Sequence, residues 1–306
     1  MVERPKSFKT YKEQVDLLVE RGMHVADHGR AVEKLRRINY YRLSGYWYPF
    51  REPKSDASGR LDHFCNGANF DDVIALYDFD ARLRVAVLDV LAPVELSMRA
   101  LIGHALGKVD PSIHLNKNLL GYIVRGERAS EYNKWIKKYN KKIRASREEF
   151  VQHHNKKYKG ILPIWVAVEV LDWGMLTHLY SMSPDIARDE VASMVNLTPP
   201  QLHSWLKALN VVRNIAAHHG RMYNQVYGIT PKMPSLQTHP EVCSHAGVMN
   251  RIFGQATMIQ YLLKTLNVDK LQVLPSVFRT FPDNAIVSIG STGAPDDWGQ
   301  GELWGH

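Results

Sequence analysis

Only two cysteines, Cys65 and Cys243, occur in 306 residues. That is too few for a disulfide scaffold, and no CxxC or clustered Cys/His spacing marks structural zinc. The 14 histidines are scattered and form no HExxH pair, so no metal site and no cofactor are expected. Long apolar runs are also missing. The stretches near Val85 and Ile161 are broken by Asp89, Pro93, Glu95 and Glu169 well short of bilayer-spanning length, and Met1 to Lys6 begins no leader-like apolar segment. No repeat of solenoid length occurs. The expectation is a cytoplasmic chain without membrane contact. Its composition is ordinary, 45% apolar and 23% charged, and its length suits one large or two small domains.

Charge is unevenly placed. The net charge is +8, and residues 134 to 159 hold ten Lys or Arg against Glu148 and Glu149, which leaves the rest of the chain close to neutral. Lys137, Lys138, Lys141, Lys142 and Arg144 form the densest part, an electrostatic footprint suited to nucleic-acid phosphates. Tyr132, Trp135, Ile136, Tyr139 and Ile143 recur through the same block at helical spacing, so a helix with a solvated Lys face is the competing reading.

The rest of the pattern is helical. Residues 8–22 and 27–37 read as two short helices, followed by the aromatic block Tyr40 to Phe50, read as a turn with short extended arms. Its rings beside Arg42 and Arg51 either stack bases or form core. Arg51 to Gly67 is polar and reads as a loop. Phe70 to Ala92 is a long amphipathic helix that Pro93 either kinks or replaces by a new one, with Gly107 as its stop. Pro163 to Ser181 reads as one Trp-rich helix, another starts at Ser183-Pro184-Asp185, and Val242 to Leu266 is the last. The Gly-rich, acidic stretch from Asn284 reads as disordered.

Thr198-Pro199-Pro200-Gln201 is a strong helix start, with a hydroxyl cap, prolines in the first turn and a Gln able to close a capping box. Leu202, Trp205, Leu206, Leu209, Val212 and Ala216 then form one apolar stripe, and Gly220 is expected to end the helix in the left-handed conformation. This helix carries Arg213-Asn214-Ile215-Ala216-Ala217-His218-His219-Gly220-Arg221 near its end. Arg213 and His218 lie about 140° apart around the axis, with Asn214 in the arc between them. An imidazole titrating near neutrality beside a permanently charged guanidinium suits phosphodiester chemistry: the first moves a proton of a ribose 2′-hydroxyl or leaving oxygen, the second holds the phosphate as charge builds. That scheme needs no metal. The bare spacing is weak, since composition alone yields about one Arg-x-x-x-x-His. A structural ion pair with satisfied histidines is the competing reading.

Context adds a resemblance. Arg213 to His218 resembles the signature of HEPN-domain ribonucleases, and Val212 to Asn224 looks like its Abi-like (abortive infection) branch. The aromatic block Ile38 to Phe50 and the segment Leu162 to Glu169 with Trp173-Gly174 resemble two further blocks of that family, in the same order. The resemblance covers about residues 8 to 265. It implies an all-α, metal-independent endoribonuclease acting as an anti-phage effector or toxin, with a site composed from two facing motifs in a homodimer or in tandem domains. It also implies RNA as substrate and a neighbouring protein or a structured RNA as inhibitor.

Arg99 to His104 repeats the spacing. Either these residues are the second half of a composite site, or Glu95 and Arg99 are a helical ion pair and His104 is incidental; a supporting role for Glu95 or Arg99 in orienting Arg213 or His218 is a further reading. Glu169 is either a buried partner for a cation such as Arg213 or a satisfied core carboxylate.

The expectation is therefore an all-α fold with a small N-terminal helical and aromatic subdomain (1–67), a HEPN-like bundle (68–266) with a basic helical insertion at about 131–160, and a largely disordered tail (267–306). Arg213, His218 and Asn214 are the expected catalytic residues, Glu95, Arg99, His104, Glu169 and His219 supporting ones, and Lys137, Lys138, Lys141, Lys142 and Arg144 RNA-binding ones. The rivals are a non-catalytic RNA- or antitoxin-binding module and, less suited to a polycationic block, a mononucleotide binder.

Overall fold

The computed structural model describes residues 7–121, 124, 126 and 129–305; Met1 to Lys6 lie outside them. Thr10 closes a capping box with Glu13 to start α1 (Tyr11–Glu20), and Asp27 caps α2 (His28–Arg37). The aromatic block is a helix, α3 (Tyr40–Trp47), rather than a turn with extended arms. Asn39 caps it by accepting the Tyr41 N–H at 2.8 Å, and Leu43, Tyr46 and Trp47 bury one face at helical spacing. The stretch read as a polar loop contains a small antiparallel hairpin, β1 (Arg51–Pro53) and β2 (Arg60–Phe64), across which Arg51 pairs with Asp62 at 3.1 Å.

The organising element is α4 (Phe70–Val109), which runs unbroken through Pro93 and Gly107. An interior proline removes one helical N–H and frees a carbonyl four residues back, at a cost of about 3 kcal/mol. Here that carbonyl belongs to Asp89, and Lys270 Nζ donates to it at 3.3 Å while also pairing with the Asp89 carboxylate. A residue of the tail thus repairs the defect that the proline makes.

Beyond α4 come α5 (Ala129–Ala145) and α6 (Glu149–Lys157). The segment read as one Trp-rich helix divides into α7 (Ile164–Ala167), a short 3-10 turn and α8 (Trp173–Met182), because Asp172 accepts the Met175 N–H at 2.9 Å and starts a new helix. Then follow α9 (Asp185–Ser193), α10 (Pro199–Ala217), α11 (Pro240–Cys243), α12 (Ile252–Thr265) and α13 (Val273–Phe278). Every residue of α12 from Ile252 to Leu263 is buried, and α7, α9, α10, α12 and α13 all pack on α4. The fold is all-α apart from the hairpin, and among the described residues no helix is long and apolar enough to cross a membrane.

Residues 267–305 are not disordered. Trp304 is fully buried, stacks on Phe253 at 4.6 Å and donates to Thr257 Oγ1 at 3.2 Å, while Gln260 donates to the Leu303 carbonyl at 2.8 Å. Glycine is frequent at the end of the chain, but Phe278, Trp298 and Trp304 form one aromatic cluster whose burial anchors it.

His114 is fully buried beside Tyr139, 3.3 Å from its hydroxyl, and burial lowers its pKa to about 4. Because the folded value lies below the unfolded one of about 6.5, the unfolded chain binds the extra proton first. This contribution is present above pH 6.5 and is lost as pH falls toward 4, with a slope of about 1.4 kcal/mol per pH unit. Urea titrations from pH 7 to 4.5 are expected to show that slope as the difference between wild type and His114→Phe; parallel curves contradict it.

Candidate functional site

Helix α10 forms where its cap, its prolines and its apolar stripe coincide. Thr198 donates its N–H to Gln201 Oε1 at 2.8 Å in a capping box, and Leu202, Trp205, Leu206, Leu209, Val212 and Ala216 are all buried. The helix ends at Ala217 with His218 as its C-cap, one turn earlier than the pattern predicts. The left-handed residue is His219, at φ +57°, and not Gly220. The His219 N–H bonds the Ala216 carbonyl at 3.1 Å and the Gly220 N–H bonds the Ile215 carbonyl at 2.7 Å, the paired closure of a Schellman motif. Gly220 serves this closure through space rather than through φ: a Cβ there would lie 2.7 Å from Ile215 Cγ2.

The turn after α10 is held from three sides. Arg42 of α3 donates to the His219 carbonyl, Arg221 donates to the Gly45 carbonyl, and Arg84 of α4 donates to the Gly220 carbonyl at 3.3 Å. Gly45 allows this approach, since a Cβ on it would collide with the Arg221 guanidinium as placed. Beneath the turn Asp80 is completely buried. Its carboxylate accepts from the Tyr46 hydroxyl at 2.6 Å, from Arg84, and from the backbone N–H groups of Met222 and Tyr223 at 3.0 and 2.8 Å. Burial pushes the Asp80 carboxyl up, while these four donors pull the other way. Asp80, Arg84, Tyr46 and Arg42 were not among the expected site residues. The one signal available was an Asp and an Arg one helical turn apart inside a run of core positions.

The motif's side chains, by contrast, stay open. Asn214, His218 and His219 are exposed, and Arg213 is 42% exposed. The rings of His218 and His219 and the amide of Asn214 make no hydrogen bond to a described residue; Asn214 meets His218 only through its backbone carbonyl, which accepts the His218 N–H at 3.0 Å. Arg213 Nε lies 4.0 Å from Glu95 Oε2, and the other oxygen of Glu95 pairs with Arg99. Arg99 in turn donates to the Val168 and Glu169 carbonyls at 2.7 and 3.1 Å, in the 3-10 turn between α7 and α8. Glu95 is therefore the carboxylate that faces both arginines. Glu169 is not a buried partner of Arg213: its side chain is exposed and only its carbonyl takes part. Arg99 is fixed in this network, whereas His104 is exposed nine residues beyond Glu95, about 13 Å along the helix axis. The structure does not bring His104 to Arg213.

The basic block is the solvated side of α5. Tyr132, Trp135 and Tyr139 are buried, Trp135 and Tyr139 stack at 5.4 Å, and Trp135 Nε1 donates to the Met175 carbonyl at 3.0 Å. Lys137, Lys138, Lys141 and Arg144 are exposed and Lys142 is half-buried; Lys138 and Lys142 each lie 3.3 Å from Asp172. Among the described residues no cluster of three or more His, Cys, Asp or Glu side chains is arranged to hold a metal ion.

One family model, described as Abi-like protein, matches residues 33–224, well over half of the chain, from α2 through the aromatic block and α4 to the turn after α10. No curated protein and no solved structure matches the chain.

Proposed function

Since the chain belongs to the Abi-like protein family, we propose that it is an abortive-infection effector that cleaves RNA in the cytoplasm with Arg213 and His218. The observation that carries this reading is the contrast at the end of α10. The backbone of the turn is fastened by Arg42, Arg84, Asp80 and Arg221, while the Arg213 and His218 side chains are left open to solvent. Rigid support beneath open polar side chains is what positioning for catalysis requires.

In this reaction the ribose 2′-oxygen attacks phosphorus, its proton passes to the His218 imidazole, and the bond to the 5′-oxygen breaks. Arg213 holds the non-bridging oxygens as charge builds on them, and Glu95, itself fixed by Arg99, restrains the guanidinium. The products end in a 2′,3′-cyclic phosphate and a 5′-hydroxyl. The leaving oxygen also takes a proton, and a second copy of the chain supplies the facing imidazole in a homodimer. Lys137, Lys138, Lys141, Lys142 and Arg144 draw the RNA in by its phosphates. Asn214 contacts the scissile phosphate rather than the imidazole, which it does not touch here.

Purified protein incubated with mixed cellular RNA in excess EDTA is expected to cut it, leaving cyclic phosphate ends. RNA bound but left intact, with and without EDTA, would make the chain an RNA-binding module instead.

A further inference from the structure

A cleft lies on the face of α3 next to the one that holds the motif's turn, and nothing in the reaction above uses it. Its volume is about 930 Å³, within the usual range of ligand sites. It is walled by α1, α2, α3 and the hairpin. Tyr41 is 68% exposed in it, and Tyr11 and Tyr48 are each more than two-fifths exposed. Three open rings gathered in one cleft are a cluster, unlike the singly scattered exposed side chains that need no explanation.

The charge of the cleft is one-sided. Lys9, Arg21, Arg36, Arg37 and Arg51 line it, against the single acid Asp62, which is already shared by Arg21 and Arg51 at 3.1 Å each. Arg36 pairs with Glu33 on its own helix and sits 6.0 Å from the Tyr11 ring. Aromatic faces beside a surplus of guanidinium groups are the chemistry that takes unpaired bases and their phosphates.

The same short helix serves both sites. Tyr41 and Ser44 face the cleft, while Arg42 and Gly45 hold the His219 to Arg221 turn. A helix with its side chains is about 10–12 Å across, so a strand leaving the cleft reaches the His218 side of α3 within a few nucleotides.

We propose that this cleft binds a short run of single-stranded RNA, stacking a base on Tyr41 and seating its phosphates on Arg36 and Arg37, and so selects the strand presented to His218. The inference rests on RNA being the substrate of the motif.

The test is fluorescence anisotropy of a labelled 12-nucleotide single strand on full-length protein carrying His218→Ala. Adding Tyr41→Ala is expected to weaken binding about ten-fold or more, and adding Tyr41→Trp to preserve it. Arg36→Glu with Arg37→Glu is expected to weaken it further and flatten its salt dependence. Affinities within two-fold for Tyr41→Ala and the Arg pair overturn the proposal. So does equal Tyr41 dependence with duplex RNA, or adenosine monophosphate displacing the strand as well as the unlabelled strand does. Cleavage by otherwise wild-type protein separates the two readings. Tyr41-dependent binding without any cleavage removes the nuclease and leaves the cleft, whereas His218-dependent cleavage with an unchanged KM in Tyr41→Ala removes the cleft and leaves the nuclease.

Discussion

Asp80→Ala is expected to destabilise the chain by about 3–5 kcal/mol in urea unfolding, a large part of a typical domain's total. Asp80 and Arg84 are both buried, so removing the carboxylate strands a guanidinium where water cannot solvate it. The same change takes the acceptor from the Tyr46 hydroxyl and from the Met222 and Tyr223 N–H groups. Tyr46→Phe removes one hydrogen bond and leaves the ion pair, and is expected to cost about 1 kcal/mol. Asp80→Leu combined with Arg84→Met should recover the part due to the stranded charge, though not the part due to the two amides. A loss below 1 kcal/mol for Asp80→Ala would mean that the turn after α10 does not depend on the buried carboxylate.

How far this arrangement was legible in the chain depends on the range of the interaction. The start of α10 could be read residue by residue, because a capping box and a proline-led first turn are local. The buried face of α5 was equally plain from Tyr132, Trp135 and Tyr139 at helical spacing. The helix end was misplaced because Gly220 is the residue that usually turns left-handed, whereas here Gly220 is needed for its missing Cβ and His219 takes the strained φ.

The block from Tyr40 to Trp47 misled through its composition. Aromatic residues and a Ser-Gly pair favour extended or turning chain, and tertiary burial of Leu43, Tyr46 and Trp47 overrode that preference. The tail misled in the same way, since its three anchoring aromatics are sparse in sequence and adjacent only in space. Glu169 reads as a buried cation partner or a core carboxylate because apolar residues flank it, but it sits in the 3-10 turn between α7 and α8 with its side chain exposed, while the orienting role read for Glu95 agrees with its place between Arg99 and Arg213. The Asp80 cluster joins positions more than 140 residues apart, for which a single chain offers no periodic signal.

The second large effect concerns chemistry without stability. His218 is exposed and its ring makes no hydrogen bond to a described residue, so His218→Ala is expected to unfold within about 0.5 kcal/mol of wild type. Arg213→Ala strands nothing buried except part of the charge on Glu95, which keeps Arg99 as its partner. In catalysis the two are expected to be costly. Loss of a general acid or base lowers rates about 100- to 10,000-fold, and loss of a group stabilising transition-state charge about 100- to 1,000-fold. Because the two act on one transition state, the double variant should be little worse than the poorer single one.

The most direct measurement is therefore the single-turnover rate of RNA cleavage in EDTA for wild type, His218→Ala and Arg213→Ala, with unfolding curves taken on the same preparations. The account predicts a wild-type rate well above background, a fall of at least 100-fold in each variant, and superimposable unfolding curves. Cleavage at an undiminished rate by His218→Ala would contradict it, placing the chemistry elsewhere on the protein or in a contaminant.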